Sequence, residues 1–411
     1  MQINTQTLDL VSIRNDFPIL NQKIGKYPLI YFDNGATTQK PLSVVESIEE
    51  YYKTYNANIH RGAHFLADKG TTAFEGSREK VRNFINAESK EQIIFTKGTT
   101  ESINIVAAGL TKSFLKAGDE ILITGMEHHA NIVPWQMACE QSGAILKVIP
   151  VLENGELDVE MAEKLLTEKT KVLAFVHVSN SLGTINPAKE LISKAKKFGA
   201  ITLLDCAQAV GHFPVDVQDL GADFITFSGH KLFGPTGIGI LYGKKNRLEA
   251  LPPFQVGGEM IKEVTFEKTT YNELPFKFEA GTPNIADGIA LGTAIDYIQS
   301  LDRQAVESHE LELLELATNI IESKPGLRII GTAAHKASVV SFVSDAAHPS
   351  DLGTLLDQFG VAVRTGHHCC QPLMRRFEIP GTVRISLSFY NTTEELEAFS
   401  THLDRVLKML A

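Results

Sequence analysis

Short apolar runs alternate along the chain with stretches in which apolar positions recur at helical spacing. Within each run, Ile, Val, Leu and Phe occupy neighbouring positions, which is typical of strands that are buried on both faces of a sheet. We predict strands over residues 92–95, 120–124, 171–178, 201–204 and 223–227. Because helical patterns separate these strands, we expect an α/β fold with a mainly parallel sheet covered by helices on both faces.

The helical patterns predict helices over residues 9–16, 71–85, 187–198, 287–301 and 307–323. A further helix begins at Pro41, since proline is favoured in the first turn of a helix. Between residues 252 and 284 the pattern is interrupted by proline, glycine and short alternating segments such as 276–279. We expect an excursion with a hairpin in this interval.

The chain is organised differently after the helix at 287–301. Three further strands alternate there with helices in a pattern typical of an α+β domain, at 337–343, 360–364 and 383–388. A chain of 411 residues also exceeds the usual length of one domain. We therefore predict a large domain over residues 20–295 and a small domain built from residues 1–19 and 296–411.

Charge and composition exclude several classes of function. The net charge of −10 at pH 7 argues against nucleic acid or an anionic membrane as a partner. Apolar runs fall short of the roughly 20 residues that a membrane helix needs, and residues 1–16 lack the apolar segment of a signal peptide. The four scattered cysteines form no disulfide framework. We therefore expect a soluble, cytoplasmic protein.

Polar residues that could bind a ligand or take part in catalysis follow several of the predicted strands. In parallel sheets, ligands bind outside the carboxyl ends of the strands. The residues in such positions are Thr99, Thr100, His128, Asn180, Asp205 and Lys231. Their positions predict one shared site at this edge of the sheet.

A lysine and an aspartate stand at the ends of two of these strands. Lys231 lies in the glycine-rich turn that begins at Ser228, and Asp205 ends the strand at 201–204. A lysine can bond to the aldehyde of pyridoxal 5'-phosphate (PLP), while a carboxylate keeps the pyridine nitrogen protonated so that the ring accepts electrons. Taken alone, the two residues also fit a solvated loop lysine and a helix-capping aspartate.

Two further features suit a phosphorylated, flat cofactor. Gly98 and the threonines 99 and 100 stand at a predicted helix N-terminus, where backbone N–H groups and the helix dipole attract an anion. A capping box at the same place is the alternative. His128 or His129 could stack on a flat ring, and a loop histidine with ordinary hydrogen bonds is the alternative.

A cysteine and two arginines mark the second half of the chain. Cys369 lies in a loop with glycine and two histidines close to Arg364, where a thiol can become nucleophilic. An inert buried cysteine remains possible, whereas a zinc site is disfavoured because His367, His368, Cys369 and Cys370 are adjacent and lack the usual spacers. Arg384 lies in an apolar strand, where either a substrate carboxylate or a structural ion pair would neutralise it.

Taken together, these motifs resemble those of the cysteine desulfurases. The residues that carry the resemblance are Ser228-Gly229-His230-Lys231, Asp205 with Gln208, Glu127-His128-His129-Ala130-Asn131 and Arg364-Thr365-Gly366-His367-His368-Cys369. The likeness extends from about residue 14 to 405 and is strongest to the SufS-type branch of the fold-type I PLP enzymes. It implies the PLP-dependent transferase fold, with a seven-stranded type of sheet in the large domain.

The resemblance also implies a role for each residue. Lys231 would carry PLP and move protons, Asp205 would pair with the pyridine nitrogen, Gln208 would reach the phenolic oxygen, and His128 would stack on the ring. The phosphate would be held by Thr99, Thr100, Ser228 and His230, with Thr282 reaching in from the second subunit of a homodimer. The substrate carboxylate would be bound by Asn180, Arg364 and Arg384. Cys369 would take sulfur from L-cysteine as a persulfide and leave alanine.

The implied function is sulfur supply for iron–sulfur cluster assembly, with selenocysteine lyase as the alternative. A hairpin between residues 261 and 282 and a short Cys369 loop would suit a shielded persulfide and an acceptor protein. Relatives that pair with a zinc-containing SufU-type acceptor often have histidine where this chain has Ser350, so a SufE-like acceptor is favoured. Cys370, which follows the presumed nucleophile, could resolve a polysulfide or simply pack, and we favour packing.

Overall fold

The computed structural model describes residues 8–410, and residues 1–7 of the predicted small domain lie outside the described part. Its α-helices are α1 (Leu10–Asn15), α2 (Leu42–Glu50), α3 (Phe65–Phe84), α4 (Thr99–Ser113), α5 (Val133–Ser142), α6 (Val159–Leu165), α7 (Ala188–Lys197), α8 (Val217–Leu220), α9 (Lys245–Ala250), α10 (Ile285–Ser300), α11 (Arg303–Glu322), α12 (Pro349–Asp357), α13 (Gln371–Arg376) and α14 (Thr393–Leu410).

The β-strands are β1 (Lys23–Ile24), β2 (Tyr27–Pro28), β3 (Ile30–Tyr31), β4 (Ile93–Thr96), β5 (Glu120–Thr124), β6 (Ile145–Ile149), β7 (Thr170–Val176), β8 (Ile201–Asp205), β9 (Phe224–Ser228), β10 (Gly239–Gly243), β11 (Ile261–Val264), β12 (Thr269–Tyr271), β13 (Leu327–Ile330), β14 (Val339–Ser344), β15 (Val361–Ala362), β16 (Arg364–Gly366) and β17 (Thr382–Ser386).

A seven-stranded sheet forms the centre of the described residues. Its strand order is β4-β10-β9-β8-β7-β5-β6, and only β10 runs antiparallel to its neighbours. The predicted α/β fold class with a mainly parallel sheet is therefore confirmed. Two of the strands, β6 and β10, were not predicted. β6 lies at the sheet edge and is largely exposed, so it lacks the fully buried pattern that marked the others.

The sheet carries a hydrophobic core on each face. Along β7, Leu173 and Phe175 pack into one core, while Val172 and Ala174 pack into the other. Because successive side chains of a strand point to opposite faces, both sets must be apolar when both faces are covered. This arrangement explains the unbroken apolar runs in the sequence.

A second, four-stranded sheet has the order β13-β14-β17-β16 and is antiparallel throughout. It packs with α11, α12 and α14 around a third apolar core. The single strand predicted at 360–364 is divided here: β15 pairs with β3, and β16 pairs with β17. The division of the chain at residues 19 and 295 stays a prediction.

The interval between residues 252 and 284 contains the expected hairpin. β11 and β12 pair antiparallel, while Phe276–Phe278 forms a 3-10 turn and not an extended segment. The helix predicted from residue 71 begins six positions earlier, at Phe65, because the His64 side chain accepts the Ala67 N–H and caps it. A polar cap of this kind is not visible in apolar periodicity.

Candidate active site

The predicted site residues converge on one cavity of about 270 Å³ at the carboxyl ends of the central strands. All of them except Thr282 line it: Thr99, Thr100, His128, Asn180, Asp205, Gln208, Ser228, His230, Lys231, Arg364, Cys369 and Arg384. The central sheet supplies most of these residues, whereas the two arginines and Cys369 come from the C-terminal part of the chain. The tertiary structure thus joins two sequence regions into one cavity.

Asp205 and Lys231 lie on neighbouring strand ends, as predicted. Asp205 ends β8, where its Oδ1 accepts the Ala207 N–H at 2.9 Å, and Lys231 closes the 3-10 turn after β9. Burial raises the pKa of Asp205, and burial lowers the pKa of Lys231 while the Asp205 charge opposes that shift. A lysine held in this cavity is not the solvated loop lysine of the alternative interpretation.

The N-terminus of α4 borders the same cavity. Gly98 precedes the helix and carries no side-chain cap, while Thr99 is its first residue, so the capping-box alternative does not describe this turn. Ser228 Oγ accepts the Thr99 N–H at 2.9 Å and lies 3.0 Å from Thr99 Oγ1. A Cβ on Gly239 would come within 2.4 Å of the Gly98 Cα, so glycine is required where β10 approaches the residue that precedes α4.

His128 presents a neutral ring to the cavity. Its Nδ1 accepts the Ala130 N–H at 3.1 Å, which places the ring proton on Nε2. Burial, reinforced by the charge of Lys231, lowers the pKa of His128 to about 4. The preceding Glu127 is fully buried, and burial raises its pKa to about 8 although Asn131 and the Val176 N–H donate to it.

Arg384 and Arg364 share one aspartate. Arg384, which is 2% exposed, donates from Nη2 to Asp33 Oδ1 at 3.0 Å, and Arg364 binds both carboxylate oxygens of Asp33 at 2.9–3.1 Å. The structural ion pair is therefore formed, yet both arginines also line the cavity. Arg384 Nε is buried and has no hydrogen-bond partner among residues 8–410.

Asn180 links the arginine to the cysteine loop. Its backbone carbonyl accepts Arg384 Nη1 at 2.8 Å, and its Nδ2 donates to the His368 carbonyl at 2.8 Å. Cys370 is buried and its thiol donates to Asn180 Oδ1 at 3.2 Å; burial raises the pKa of Cys370 to about 12. Cys370 is thus packed in the interior, as favoured from the sequence, and its raised pKa favours the thiol over the thiolate.

Cys369 is exposed and stands on a loop of unusual backbone conformation. His368 and Cys369 both have positive φ, at 50° and 57°. Two histidines hold the loop: the His129 N–H donates to the Cys369 carbonyl at 2.8 Å, and His367 Nδ1 accepts the Cys369 N–H at 3.1 Å. Exposure of Cys369 excludes the inert, buried cysteine of the alternative interpretation.

Thr282 is the predicted residue that this chain does not bring to the cavity. It lines a separate cavity of about 500 Å³ together with Lys97, Gly237 and Asn284. The sequence resemblance assigned Thr282 to the neighbouring subunit, and its position in one chain is compatible with that assignment.

The sequence indicates a strand that leads into a turn of small residues at 31–38, but sequence reasoning assigned no role in the site to Asp33 or Gly35 of that turn. Asp33 binds both arginines, and the Gly35 carbonyl accepts Gln208 Nε2 at 2.6 Å. A Cβ on Gly35 would lie 3.1 Å from the Arg384 guanidinium carbon, so a larger residue at this position would press on the arginine side chain. The small residues after β3 were the available signal.

The donor set suits a flat, anionic cofactor that bears an aldehyde. A lysine amine, a buried carboxylate, a neutral imidazole and a helix N-terminus all face one cavity. Arg384 Nε, which is buried and has no hydrogen-bond partner among residues 8–410, is a further donor.

Comparisons with known proteins agree with this geometry. The aminotransferase class-V family model matches residues 30–399. A cysteine desulfurase of Synechococcus elongatus is 52% identical over 97% of this chain, which spans 64% of that relative's length. A probable cysteine desulfurase of Vibrio cholerae is 49% identical over 98% of this chain and its own full length. The crystal structure of a cysteine desulfurase from Escherichia coli matches with a TM-score of 0.92 and 38% identity, over 99% of this chain and all of that one.

Within residues 8–410, the helices are too short or too polar to cross a membrane. The family model matches most of the chain, and relatives are similar to it over almost their full length, so its family membership is clear. The chain belongs to the class-V aminotransferase family, a family of PLP-dependent enzymes, and groups there with the cysteine desulfurases.

Proposed function

We propose that this protein is a PLP-dependent cysteine desulfurase, which converts L-cysteine to L-alanine and keeps the sulfur as a persulfide on Cys369. The observation that carries the proposal is a single cavity lined by Lys231, Asp205 and an exposed cysteine. An aminotransferase needs the lysine and the aspartate but has no use for the thiol. The relatives named as cysteine desulfurases support the same activity.

The cavity residues fit PLP in a defined orientation. Asp205 would meet the pyridine nitrogen, the neutral His128 ring would stack on the cofactor, and Gln208 would reach its phenolic oxygen. The phosphate would lie at the N-terminus of α4, against Thr99, Thr100, Ser228 and His230. When bound, PLP supplies an electron sink for charge that develops on the substrate Cα, which weakens the bond between Cβ and sulfur.

The substrate carboxylate would lie against Arg384, with Asn180 and Arg364 beside it. Arg384 is anchored on one side by Asp33 and the Asn180 carbonyl, and its Nε still lacks a partner in the described residues. Guanidinium groups bind carboxylates through two parallel hydrogen bonds, which fixes orientation as well as position. The substrate thiol is thereby directed toward Cys369.

Cys369 takes the sulfur as a nucleophile. Its thiolate attacks the substrate sulfur, an S–S bond forms, the C–S bond breaks, and the electron pair of that bond stays on the substrate Cβ, which takes up a proton to give alanine. Lys231 Nζ and His128 Nε2 are the cavity groups that can hold and move protons. Cys369 Sγ then carries one additional sulfur atom.

A homodimer would complete the site. Five large apolar side chains of the 252–284 interval are exposed in the single chain, Phe266 completely: Phe254, Val256, Val264, Phe266 and Tyr271. Three of them, Val264, Phe266 and Tyr271, belong to the β11–β12 hairpin, and exposed apolar side chains that lie together mark an interaction surface. Thr282 lies in the same interval, so a second copy docked here would bring Thr282 to the phosphate of its partner.

The persulfide would pass to an acceptor protein for iron–sulfur cluster assembly in the cytoplasm. We favour a SufE-like over a SufU-like acceptor because Ser350 stands where the latter's partners often have histidine. Ser350 lies at the start of α12, and α12 packs on β16, which leads into the Cys369 loop. An exposed Cys369 is open to such a protein.

The test combines alanine release with mass spectrometry, for the wild type and Cys369→Ala. We expect alanine from L-cysteine with reductant, a mass gain of one sulfur on Cys369 after cysteine alone, and collapse of both in Cys369→Ala. Cys139→Ala, which changes a partly buried cysteine of α5, is the matched control and should behave as wild type.

Unchanged alanine release in Cys369→Ala would contradict the proposal and indicate a lyase. Selenocysteine is the diagnostic second substrate because selenium leaves more readily and depends less on the thiol. The comparisons name cysteine desulfurases and do not favour a selenocysteine lyase.

A further inference from the structure

One backbone carbonyl next to Lys231 accepts an unusual number of hydrogen bonds. The His230 carbonyl receives the Thr38 N–H at 3.0 Å, Thr37 Oγ1 at 3.1 Å, Thr38 Oγ1 at 3.2 Å and Lys40 Nζ at 3.1 Å. A carbonyl oxygen has two lone pairs, so these donors saturate it. All of them come from the turn at residues 37–40.

The same turn also holds the other side of the lysine. Thr38 Oγ1 accepts the Phe233 N–H at 2.9 Å, and Phe233 itself has a left-handed backbone with φ of 59°. The turn at residues 37–40 therefore hydrogen-bonds to the backbone on both sides of Lys231, at residue 230 and at residue 233. The 3-10 turn that carries Lys231 spans only three residues, so contacts within the turn cannot position it alone.

Lys40 is the charged residue of the turn at residues 37–40. Its ammonium donates to Thr37 Oγ1, the Thr38 carbonyl and the His230 carbonyl, all of them neutral oxygens. Burial lowers the pKa of Lys40 to about 8, with no carboxylate contributing among the described residues. A half-buried ammonium without a counter-ion is costly, and the three acceptors offset only part of that cost.

A purely structural reason for a lysine here is weak. A neutral side chain of similar length would avoid the desolvation cost and fill the same space. The ammonium instead donates hydrogen bonds to three oxygens from two segments that are far apart in the sequence. One of the three is the His230 carbonyl oxygen, which belongs to the peptide bond that precedes Lys231.

We propose that Lys40 is a positioning residue for Lys231: through the His230 carbonyl it sets the direction from which the Lys231 amine reaches the cofactor. The inference rests on the proposed role of Lys231 as the residue that carries PLP. Lys40 does not contact the reacting atoms, so its effect is on geometry and not on proton transfer.

The test uses Lys40→Met, Lys40→Arg and Thr37→Val in the PLP-loaded protein, with the exposed Lys112→Met of α4 as the matched control. The primary readout is the visible circular dichroism of bound PLP, which reports the orientation of the cofactor on Lys231. We expect a changed visible signal and a roughly tenfold lower kcat with little change in KM for Lys40→Met, because misplacement of a catalytic group lowers kcat. Lys40→Arg should restore part of both, and Lys112→Met should match wild type.

A lower thermal midpoint with an unchanged visible signal and unchanged kcat would show a merely structural role and overturn the proposal. If Lys40→Met does not fold, Thr37→Val decides, since it removes one donor to the same carbonyl while keeping the side-chain shape. A wild-type visible signal in Thr37→Val would then overturn it. The visible signal requires no cysteine, so its outcome is separate from that of the desulfurase assay.

Discussion

Asp33 forms ion pairs with both arginines that line the cavity. Its carboxylate lies between Arg384 and Arg364, and its side chain is only 15% exposed. Without the aspartate, two guanidinium groups would face each other with no neutralising charge. Breaking a largely buried ion pair by removing one partner costs about 3 kcal/mol or more.

Replacement of Asp33 therefore tests the proposed binding of the substrate carboxylate by the two arginines. We expect Asp33→Ala to raise KM for L-cysteine about tenfold or more, since a factor of ten corresponds to about 1.4 kcal/mol of lost binding. Asp33→Asn should be milder because its amide oxygen still accepts one hydrogen bond. Steady-state kinetics and urea unfolding measure the two effects, with the exposed Asp345→Asn as control; an unchanged KM in Asp33→Ala would refute this account.

At the scale of elements, the segment after β8 is tied to a helix of the C-terminal part. His212 Nδ1 donates to Glu310 Oε2 of α11 at 2.7 Å. Burial alone would lower the pKa of His212, but the charge of Glu310 and its hydrogen bond outweigh burial and raise it. The Asp205 segment and α11 are thus joined by the hydrogen bond between an imidazole and a carboxylate, and this contact raises the pKa of His212.

This link predicts a pH dependence of stability. Because the folded-state pKa of His212 lies above the unfolded value of about 6.5, its contribution is complete below pH 6.5 and is lost as the pH rises through the folded value. His212→Gln should therefore lower the free energy of unfolding more at pH 6 than at pH 9. Urea unfolding at both pH values provides the measurement.

The exposed His335→Gln serves as the matched control for His212→Gln and should show no such difference between the two pH values. An equal loss of stability at pH 6 and pH 9 in His212→Gln would mean that the imidazole contributes packing and no charge.

At the scale of the whole molecule, the position of Thr282 makes the dimer testable. Thr282 lies outside the cavity of its own chain, in the same interval as the exposed apolar side chains. A heterodimer of Thr282→Ala with Lys231→Ala would contain one site with both native residues if Thr282 acts across the interface.

Mixing the two inactive or weakened variants should therefore restore activity. Random exchange of subunits should yield about a quarter of the wild-type sites, because half of the dimers are mixed and each has one intact site. Sedimentation analysis should show a dimer in parallel. A dimer without restored activity would place Thr282 outside the neighbouring site.

Much of the fold could be predicted from the sequence because buried parallel strands carry continuous apolar runs. Where that signal was weak, prediction failed: the edge strand β6 is largely exposed, β10 is bounded by glycines, and the N-terminal turn of α3 depends on the capping His64. Lys231 and Asp205 were predictable since Asp205 ends one strand and Lys231 lies in the short turn after the next. Asp33 and Lys40 were not, because their partners are at least 190 positions away in the sequence.

The sequence by itself determined the chemistry of this protein: which residues can bond an aldehyde, bind an anion or act as a nucleophile, and that strands of the central sheet end at one edge. Side-chain type and strand periodicity are local properties, so they can be read along the chain. Only the tertiary structure decided how these side chains are positioned and which of them contact one another. It placed Asp33 between two arginines and exposed Cys369 while burying Cys370. It also brought the turn that contains Lys40 into hydrogen bonding with the backbone next to Lys231. Such pairings form between segments far apart in the chain, and they arise only when packing brings those segments together.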